Sequence, residues 1–359
     1  TDEVPEDAFG GVLTNAQERV LRKRAKFACQ REPEDRRGHE GNAPLISAFS
    51  ELLKQYETLG DEWRQRSYRT TVNVLRGLAF PVQAVRDLER KELQRLGKKT
   101  REKIQEFLET GAIGRARWLA TDDRTHALEE LQNIWGVGLT TAQQWHVRGC
   151  RTAEDVRQRA PELGLNSDQL VGLRYFEEFK QRMPRAEAEE IISVLEHATT
   201  DMFGRHLQMQ ACGSYRRGAP TCGDIDLLFT LEEDARLGTE SEVLSRIVAA
   251  LTRTGFLTDH LKTSGKHFKS EDRADRAHTS AMYFGVCQLG PGRLHRRIDL
   301  KVYQASEAPF ALLAFTGSGP FNRSMRLYAR RAGFSLSDHD IRPAAHARGV
   351  GRGAKVWSG

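Results

Sequence analysis

The stretch CGSYRRGAPTCGDIDLLFT, residues 212–230, sets charged chemistry directly before an apolar run. Successive side chains of an extended chain alternate faces, so Asp224 and Asp226 share one face while Ile225 and Leu227 take the other. Two carboxylates placed this way repel each other unless a cation lies between them. A hard divalent ion with oxygen ligands suits the pair, Mg²⁺ above all, with Mn²⁺ the other candidate. An Asp-x-Asp pair alone is equally common on ordinary surface. Its surroundings add to it: Gly213 and Ser214 read as a tight turn whose backbone N–H groups face an anion, and Arg217 is near enough to add a charge-assisted bond to phosphate. Gly223 lets the backbone approach the same anion without a Cβ in the way. The package reads as a triphosphate cradle beside a metal site. The competing reading is a structural turn followed by an edge strand.

Two-metal phosphoryl transfer needs a further carboxylate. Asp299 is the candidate, in RRIDLKVY, where alternation puts Arg297, Asp299 and Lys301 on one face and Ile298, Leu300 and Val302 on a buried one. A solvated strand edge remains the alternative. Two helical hairpins supply a further signal. LQNIWGVGLTTAQQWHVRG, residues 131–149, places Gly136 and Gly138 between apolar helical patterns, a form whose turn amides can grip a DNA phosphate without reading sequence. LQRLGKKTREKIQEFLETG, residues 93–111, keeps Gly97 but has Arg95 where a first glycine is expected. Either hairpin alone can be a plain interhelical turn.

These residues need elements to hold them. Residues 1–45 mix Gly, Pro and charge without periodicity and read as a basic tail or linker with one short helix near 15–28. Within it, the run Arg22 to Lys26 is either a nuclear address or a solvated face. Residues 46–122 and 123–183 show apolar positions at three-and-four spacing and read as two helical domains. A helix from about Ala186 to Met202 follows Pro184. Residues 184–303 then alternate short strands, such as 224–230 and 298–303, with helical segments such as 241–253, which is an α+β texture. Residues 304–359 form a last mixed unit ending in GVGRGAKVWSG.

Composition agrees with several soluble domains. The chain has 359 residues, with 39% hydrophobic and 29% charged, and contains no apolar run near the roughly twenty residues that span a bilayer. The net charge of +6 comes from 55 Lys+Arg against 49 Asp+Glu, and the basic residues cluster beside glycine-rich turns, which favours a polyanionic partner. Five scattered cysteines with no C-x-x-C pair suggest neither a disulfide framework nor a zinc site, but a reducing compartment. The absence of an initiator Met at Thr1 leads us to expect a trimmed chain.

Taken in order, GDEWRQRSYR, NIWGVG, ACGSYRRGAPTCGDIDLL, GPGRLHRRIDL and FTGSGPFNRSMR resemble the family X DNA polymerases, and the similarity runs from about Ile46 to about Ser337. The resemblance implies a multidomain fold: all-α lyase and fingers domains with helix-hairpin-helix motifs, an α+β nucleotidyltransferase palm, and an α+β thumb. The family's last thumb segment is not found before Gly359, so the thumb is expected to be incomplete. By the same resemblance, Asp224 and Asp226 match ligands of both metals, and Asp299 matches the carboxylate that helps activate the primer 3′-hydroxyl. Ser214, Arg217 and Gly223 match triphosphate contacts. Phe315, Gly317 and Asn322 match the sugar and base pocket, and Arg326 a minor-groove contact on the template side; Arg297 joins the DNA contacts. Lys103 matches a lyase nucleophile that forms a Schiff base with an opened sugar, with Glu102 and Tyr68 assisting and Trp63, Arg64 and Lys99 on the downstream 5′-phosphate.

Two departures carry expectations. Family members usually have Tyr-Phe before Thr-Gly-Ser, whereas this chain has Ala314-Phe315, which predicts weaker rejection of ribonucleotides. The segment from His260 to Met282 is long and basic, as in members that hold poorly paired primer ends. The resemblance therefore implies a monomeric nuclear DNA polymerase with 5′-deoxyribose-phosphate lyase activity. Its partners are gapped or broken double-stranded DNA, dNTPs and factors of base excision and end-joining repair. A template-independent nucleotidyltransferase at DNA ends is the alternative, and a catalytically silent end-binding scaffold ranks last.

Overall fold

The computed structural model describes residues 39–232, 237–263 and 281–344. The expected tail helix, the Arg22 to Lys26 run, most of the 260–282 segment and the glycine-rich end lie outside the described residues. The chain starts with helices α1 (Ala43–Leu59), α2 (Glu62–Arg76), α3 (Lys91–Gln94), α4 (Lys98–Thr110) and α5 (Gly114–Leu119). Their apolar stripes meet in one core that includes Phe49, Leu52, Leu75, Leu93 and Ile104, none of them accessible to solvent. Asp61 starts α2 by accepting from the Arg64 amide at 2.9 Å, which satisfies one of the unpaired donors of a first turn.

A second helical layer comprises α6 (Asp123–Gln132), α7 (Leu139–Val147), α8 (Ala153–Gln158), α9 (Ala160–Leu163), α10 (Ser167–Arg174) and α11 (Phe176–Lys180). Leu128, Leu131, Ile134, Ala142, Trp145 and Phe176 form its own core. After it the two-residue strand β1 (Met183–Pro184) leads into α12 (Arg185–Phe203), one residue longer at each end than the sequence suggests.

The α+β part is a five-stranded sheet. It is built from β2 (Leu207–Ala211), β4 (Ile225–Leu231), β5 (Leu257–Thr263), β6 (Ala281–Cys287) and β7 (Arg296–Gln304), ordered β2-β4-β7-β6-β5. The short helix α13 (Gly213–Arg216) and β3 (Thr221–Cys222), which pairs with β1, fall between β2 and β4; α14 (Glu240–Arg253) precedes β5. The pairs β2–β4, β6–β7 and β5–β6 are antiparallel, while β4–β7 is parallel. Alternation sorts the faces. Ile225, Leu227, Phe229, Ile298, Leu300 and Val302 pack with α12 and α14 in the largest core, which leaves Asp226, Leu228, Asp299, Lys301 and Tyr303 on the opposite face. Because β7 is flanked by β4 and β6, Asp299 stands on an interior strand, and the solvated-edge reading of RRIDLKVY falls.

The chain continues through α15 (Ala308–Thr316), α16 (Gly319–Arg331) and the hairpin of β8 (Phe334–Leu336) with β9 (Ile341–Pro343). Ala311 of α15 packs on Leu228 and Tyr303, so this unit closes over the carboxylate face. The architecture is thus helical domains followed by an α+β palm and an α+β thumb.

Candidate active site

The parallel register pairs Asp226 with Asp299 across β4 and β7. Asp224 sits one residue before β4, so it flanks that strand rather than belonging to it. Two cations from β7 answer these carboxylates. Lys301 Nζ donates to Asp226 Oδ1 at 2.7 Å and lies 3.8 Å from Asp299 Oδ2, while Arg297 donates to Asp224 Oδ2. Lys301 is 4% exposed, so its charge is held in place by the carboxylates rather than by water. Burial pushes the Asp299 carboxyl up to about 7; Lys301 opposes that shift and the negative charges of Asp226 and Asp224 reinforce it. Among the described residues no three carboxylate, imidazole or thiol side chains stand close enough together to hold a metal as they are placed. The donor set nevertheless fits a hard divalent cation: Asp226 and Asp299 are register partners on one sheet face, Asp224 flanks them just before β4, and burial disfavours the charged form of Asp299.

The turn that precedes β4 is shaped by Gly213, which opens α13 at φ +55°; a Cβ there would collide with the Asp226 carboxylate. Gly213 therefore needs to be glycine both for its backbone angle and for its closeness to the site. Gly223, the residue singled out from sequence for close approach, carries no such demand within the chain, since a Cβ would meet only Arg182 Nη1 at 3.8 Å. Ser214 lies on α13 rather than in an open turn. Arg217 follows it and reaches across to the end of α15, donating to the Thr316 carbonyl at 2.6 Å, beside Gly317. Phe315 rests 5.8 Å from the Tyr303 ring and 4.6 Å from Lys301 Nζ, so the expected sugar pocket shares Lys301 with the carboxylates. Asn322 Nδ2 donates to the Ala314 carbonyl at 2.6 Å, tying α16 to α15. Arg217, Phe315, Gly317 and Asn322 thus border one place, with Ser214 on the short helix that Arg217 follows, whereas Arg326 is exposed on α16.

A second site lies in the first helical domain. Trp63, Arg64, Tyr68, Lys99 and Lys103 all line one cavity of about 930 Å³. Trp63 is 80% exposed at its rim, and Tyr68 is buried against Tyr56, with ring centroids 5.6 Å apart. Arg64 lies over the Tyr56 ring at 5.3 Å and pairs with Asp61. Lys103 Nζ lies 3.5 Å from the Lys99 carbonyl, one turn back along α4. Glu102, expected to assist, is exposed and does not line the cavity. Three lining cations escaped the sequence reading: Arg66, Arg95 and Arg115. Arg66 carried a signal, standing three residues after Trp63 on the same helix face. Arg95 was visible only as an irregularity in the hairpin. Arg115 comes from α5 and gave none.

The α6–α7 hairpin holds Gly136 at φ +80°, against the start of α10, while a Cβ at Gly138 would have open space at the N-cap of α7. Trp135 in the same turn carries Arg297 on its ring face at 4.0 Å. Arg297, expected on DNA, is therefore engaged by Asp224 and Trp135 in this structure.

Four family models match the chain: a helix-hairpin-helix domain over residues 40–113, the fingers domain of DNA polymerase lambda over 129–180, the DNA polymerase beta palm over 182–305 and the DNA polymerase beta thumb over 311–356. DNA polymerase lambda of Rattus norvegicus is 36% identical over 332 residues, covering 92% of this chain and 54% of the relative. DNA polymerase lambda of Arabidopsis thaliana is 32% identical over 88% of this chain and 57% of the relative. DNA nucleotidylexotransferase of Xenopus laevis is 27% identical over 85% and 62% respectively. The chain therefore spans little more than half the length of these relatives. With palm, fingers, thumb and hairpin domain in the family's order, around a palm sheet that aligns Asp226 with Asp299, this chain belongs to the family X DNA polymerases.

Proposed function

We propose that the chain fills short gaps in DNA by template-directed nucleotidyl transfer and carries a separate 5′-deoxyribose-phosphate lyase centre. The observation behind the first activity is the shared sheet face of Asp226, Asp299 and Lys301, closed over by Phe315 and bordered by Arg217. In this reading the primer 3′-oxygen bonds to the α-phosphorus of a dNTP while the bond to pyrophosphate breaks. Asp224, Asp226 and Asp299 would hold divalent ions, Mg²⁺ or Mn²⁺, which supply positive charge to the triphosphate and the attacking oxygen. Asp299, whose carboxyl is raised by burial, helps take the 3′-hydroxyl proton. Arg217 and Ser214 hold phosphate, Phe315 and Gly317 pack on the sugar, and Asn322 keeps the two thumb helices in register beneath it.

The cationic cavity around Lys103 supports the second activity, because seven Lys and Arg side chains converge there without a carboxylate besides Asp61. An amine on this wall attacks an opened sugar aldehyde with loss of water, and elimination of the 3′-phosphate follows. Base excision and end-joining repair in the nucleus are the settings this chemistry fits. The likeness to a DNA nucleotidylexotransferase, together with Ala314, favours untemplated addition at DNA ends as a second reading.

A one-nucleotide gapped duplex with a 5′-phosphate, and in parallel a single strand, should be supplied with each dNTP and Mg²⁺ or Mn²⁺. Templated extension confined to the gap supports the first reading, untemplated extension of the single strand supports the second, and binding without extension overturns both. Borohydride trapping on an incised abasic duplex tests the lyase: the wild-type chain should cross-link and Lys103→Ala should not, with gap filling preserved.

A further inference from the structure

Trp135 occupies the turn between α6 and α7, one residue before Gly136, in the hairpin read as the grip on duplex phosphate. Its ring supports the Arg297 guanidinium at 4.0 Å, and the same guanidinium donates to Asp224 Oδ2. Trp135 is wedged in place. On one side α10 approaches so closely that a Cβ on Gly172 would collide with the Trp135 backbone. On another, Trp135 packs in a cluster with Tyr175, Leu261, Val286 and Phe284. Phe284 is the register partner of Asp299 on β6 and β7. A single aromatic residue thus joins the hairpin to β6 and, through Arg297, to β7, the strand that carries Asp299.

This placement matters because Arg297 faces competing demands. A guanidinium on Asp224 Oδ2 occupies an oxygen that a divalent ion would use, while a duplex phosphate drawn in by the hairpin offers the same guanidinium another anion. We propose that Trp135 is a positioning residue: its ring holds Arg297 on Asp224 while the hairpin is empty and guides it to duplex phosphate when the hairpin is filled, so that DNA binding frees Asp224 for the ion. The inference rests on the nucleotidyl-transfer reading of Asp224, Asp226 and Asp299. Reciprocity then requires that duplex and divalent ion raise each other's affinity by the same factor. Trp135 needs no contact with substrate to exert this effect.

The test is binding without dNTP, so that no turnover enters. Affinity of the full chain for a fluorescent gapped duplex is measured by anisotropy with and without Mn²⁺, and Mn²⁺ affinity of the free chain by calorimetry. Wild type should bind duplex several-fold more tightly with Mn²⁺. In Trp135→Ala that ratio should fall towards one, and Mn²⁺ should bind the free chain more tightly because Arg297 is no longer held on Asp224. Trp135→Phe, which keeps an aromatic face, should restore most of the ratio. Should Trp135→Ala fail to fold, Arg297→Ala leaves the wedge in place and carries the same expectation. An unchanged ratio in Trp135→Ala or Arg297→Ala overturns the positioning role. A triple Asp224→Asn, Asp226→Asn, Asp299→Asn chain separates the two levels. If it keeps the wild-type Mn²⁺ response, the ions bind elsewhere and the nucleotidyl-transfer reading itself fails. If it loses the response while Trp135→Ala keeps it, only the role of Trp135 fails.

Discussion

Asp226 and Asp299 face each other in register across the only parallel strand pair among the described strands, and Lys301 Nζ stands 2.7 Å from one and 3.8 Å from the other. The lysine neutralises part of the charge that these two carboxylates, with Asp224 just before β4, concentrate here. Replacing Asp299 with Asn keeps its shape and removes its charge. If the carboxylate set stabilises transferring phosphate by several kcal/mol, roughly three orders of magnitude in kcat should disappear. Single-nucleotide gap filling measures that loss. Duplex binding without divalent ion, followed by anisotropy, should change little, since the Lys and Arg side chains proposed to meet DNA are left in place. Full retention of activity would remove Asp299 from the reacting centre.

The buried pair of Arg296 and Glu187 predicts a different outcome, on stability. Arg296 Nε and Nη2 donate to the two Glu187 oxygens at 2.7 Å each, and Nη1 donates to the Gln181 carbonyl at 2.6 Å. Arg296 is 5% exposed, so Glu187→Ala leaves a buried guanidinium with a carbonyl as its sole remaining partner in this arrangement. Breaking such a pair costs about 3–5 kcal/mol. Urea unfolding of the two chains reads the difference. A change below about 1 kcal/mol would mean that the cavity admits water and the pair is effectively exposed.

The strand alternation that separates Arg297, Asp299 and Lys301 from Ile298, Leu300 and Val302 was legible in the sequence because a period of two survives in any register. The pairing of Asp226 with Asp299 was not, because parallel strands 70-odd residues apart are brought together by helix packing that no local pattern records. The same limit applies to charge. Arg296 and Arg297 look alike in RRID, yet one is locked on α12 and the other lies on Trp135, a residue that in sequence is only an aromatic in a helical turn. The cavity around Lys103 was half legible. Trp63, Arg64 and Tyr68 share one helix and Lys99 and Lys103 another, but Arg115 arrives from α5, whose return path depends on the core beneath.

His339 sets a pH dependence of stability. Its Nδ1 lies 3.0 Å from Glu307 Oε1, and that bond raises the imidazole above the usual histidine range; burial opposes the shift, while Asp338, Glu307 and Asp340 add to it. A group whose folded value is raised binds more protons in the native state than in the unfolded one. Stability from it is therefore complete below the unfolded value of about 6.5 and is lost as pH rises through the higher folded value. Thermal melts at pH 5.5 and 8 should show a larger fall for wild type than for His339→Gln. Equal falls would place the pH dependence elsewhere.

In the proposed sugar pocket, Ala314 would set how much room is left. Its carbonyl accepts from Asn322, and the next residue, Phe315, is fixed between Tyr303 and Lys301, so the backbone here is held from two sides and cannot easily yield. A tyrosine at 314 therefore adds bulk to a wall that does not retreat. A ribose 2′-hydroxyl meeting that bulk faces an overpacking cost of about 1–3 kcal/mol, which is roughly 5- to 150-fold in relative incorporation. Wild type should accept ribonucleotides comparatively well, and Ala314→Tyr should shift the ratio of kcat/KM values towards deoxyribonucleotides by such a factor while leaving dNTP incorporation nearly constant. If the ratio stays put while both activities fall together, position 314 shapes the fold of α15 rather than the pocket, and sugar choice rests with Phe315 and Gly317 instead.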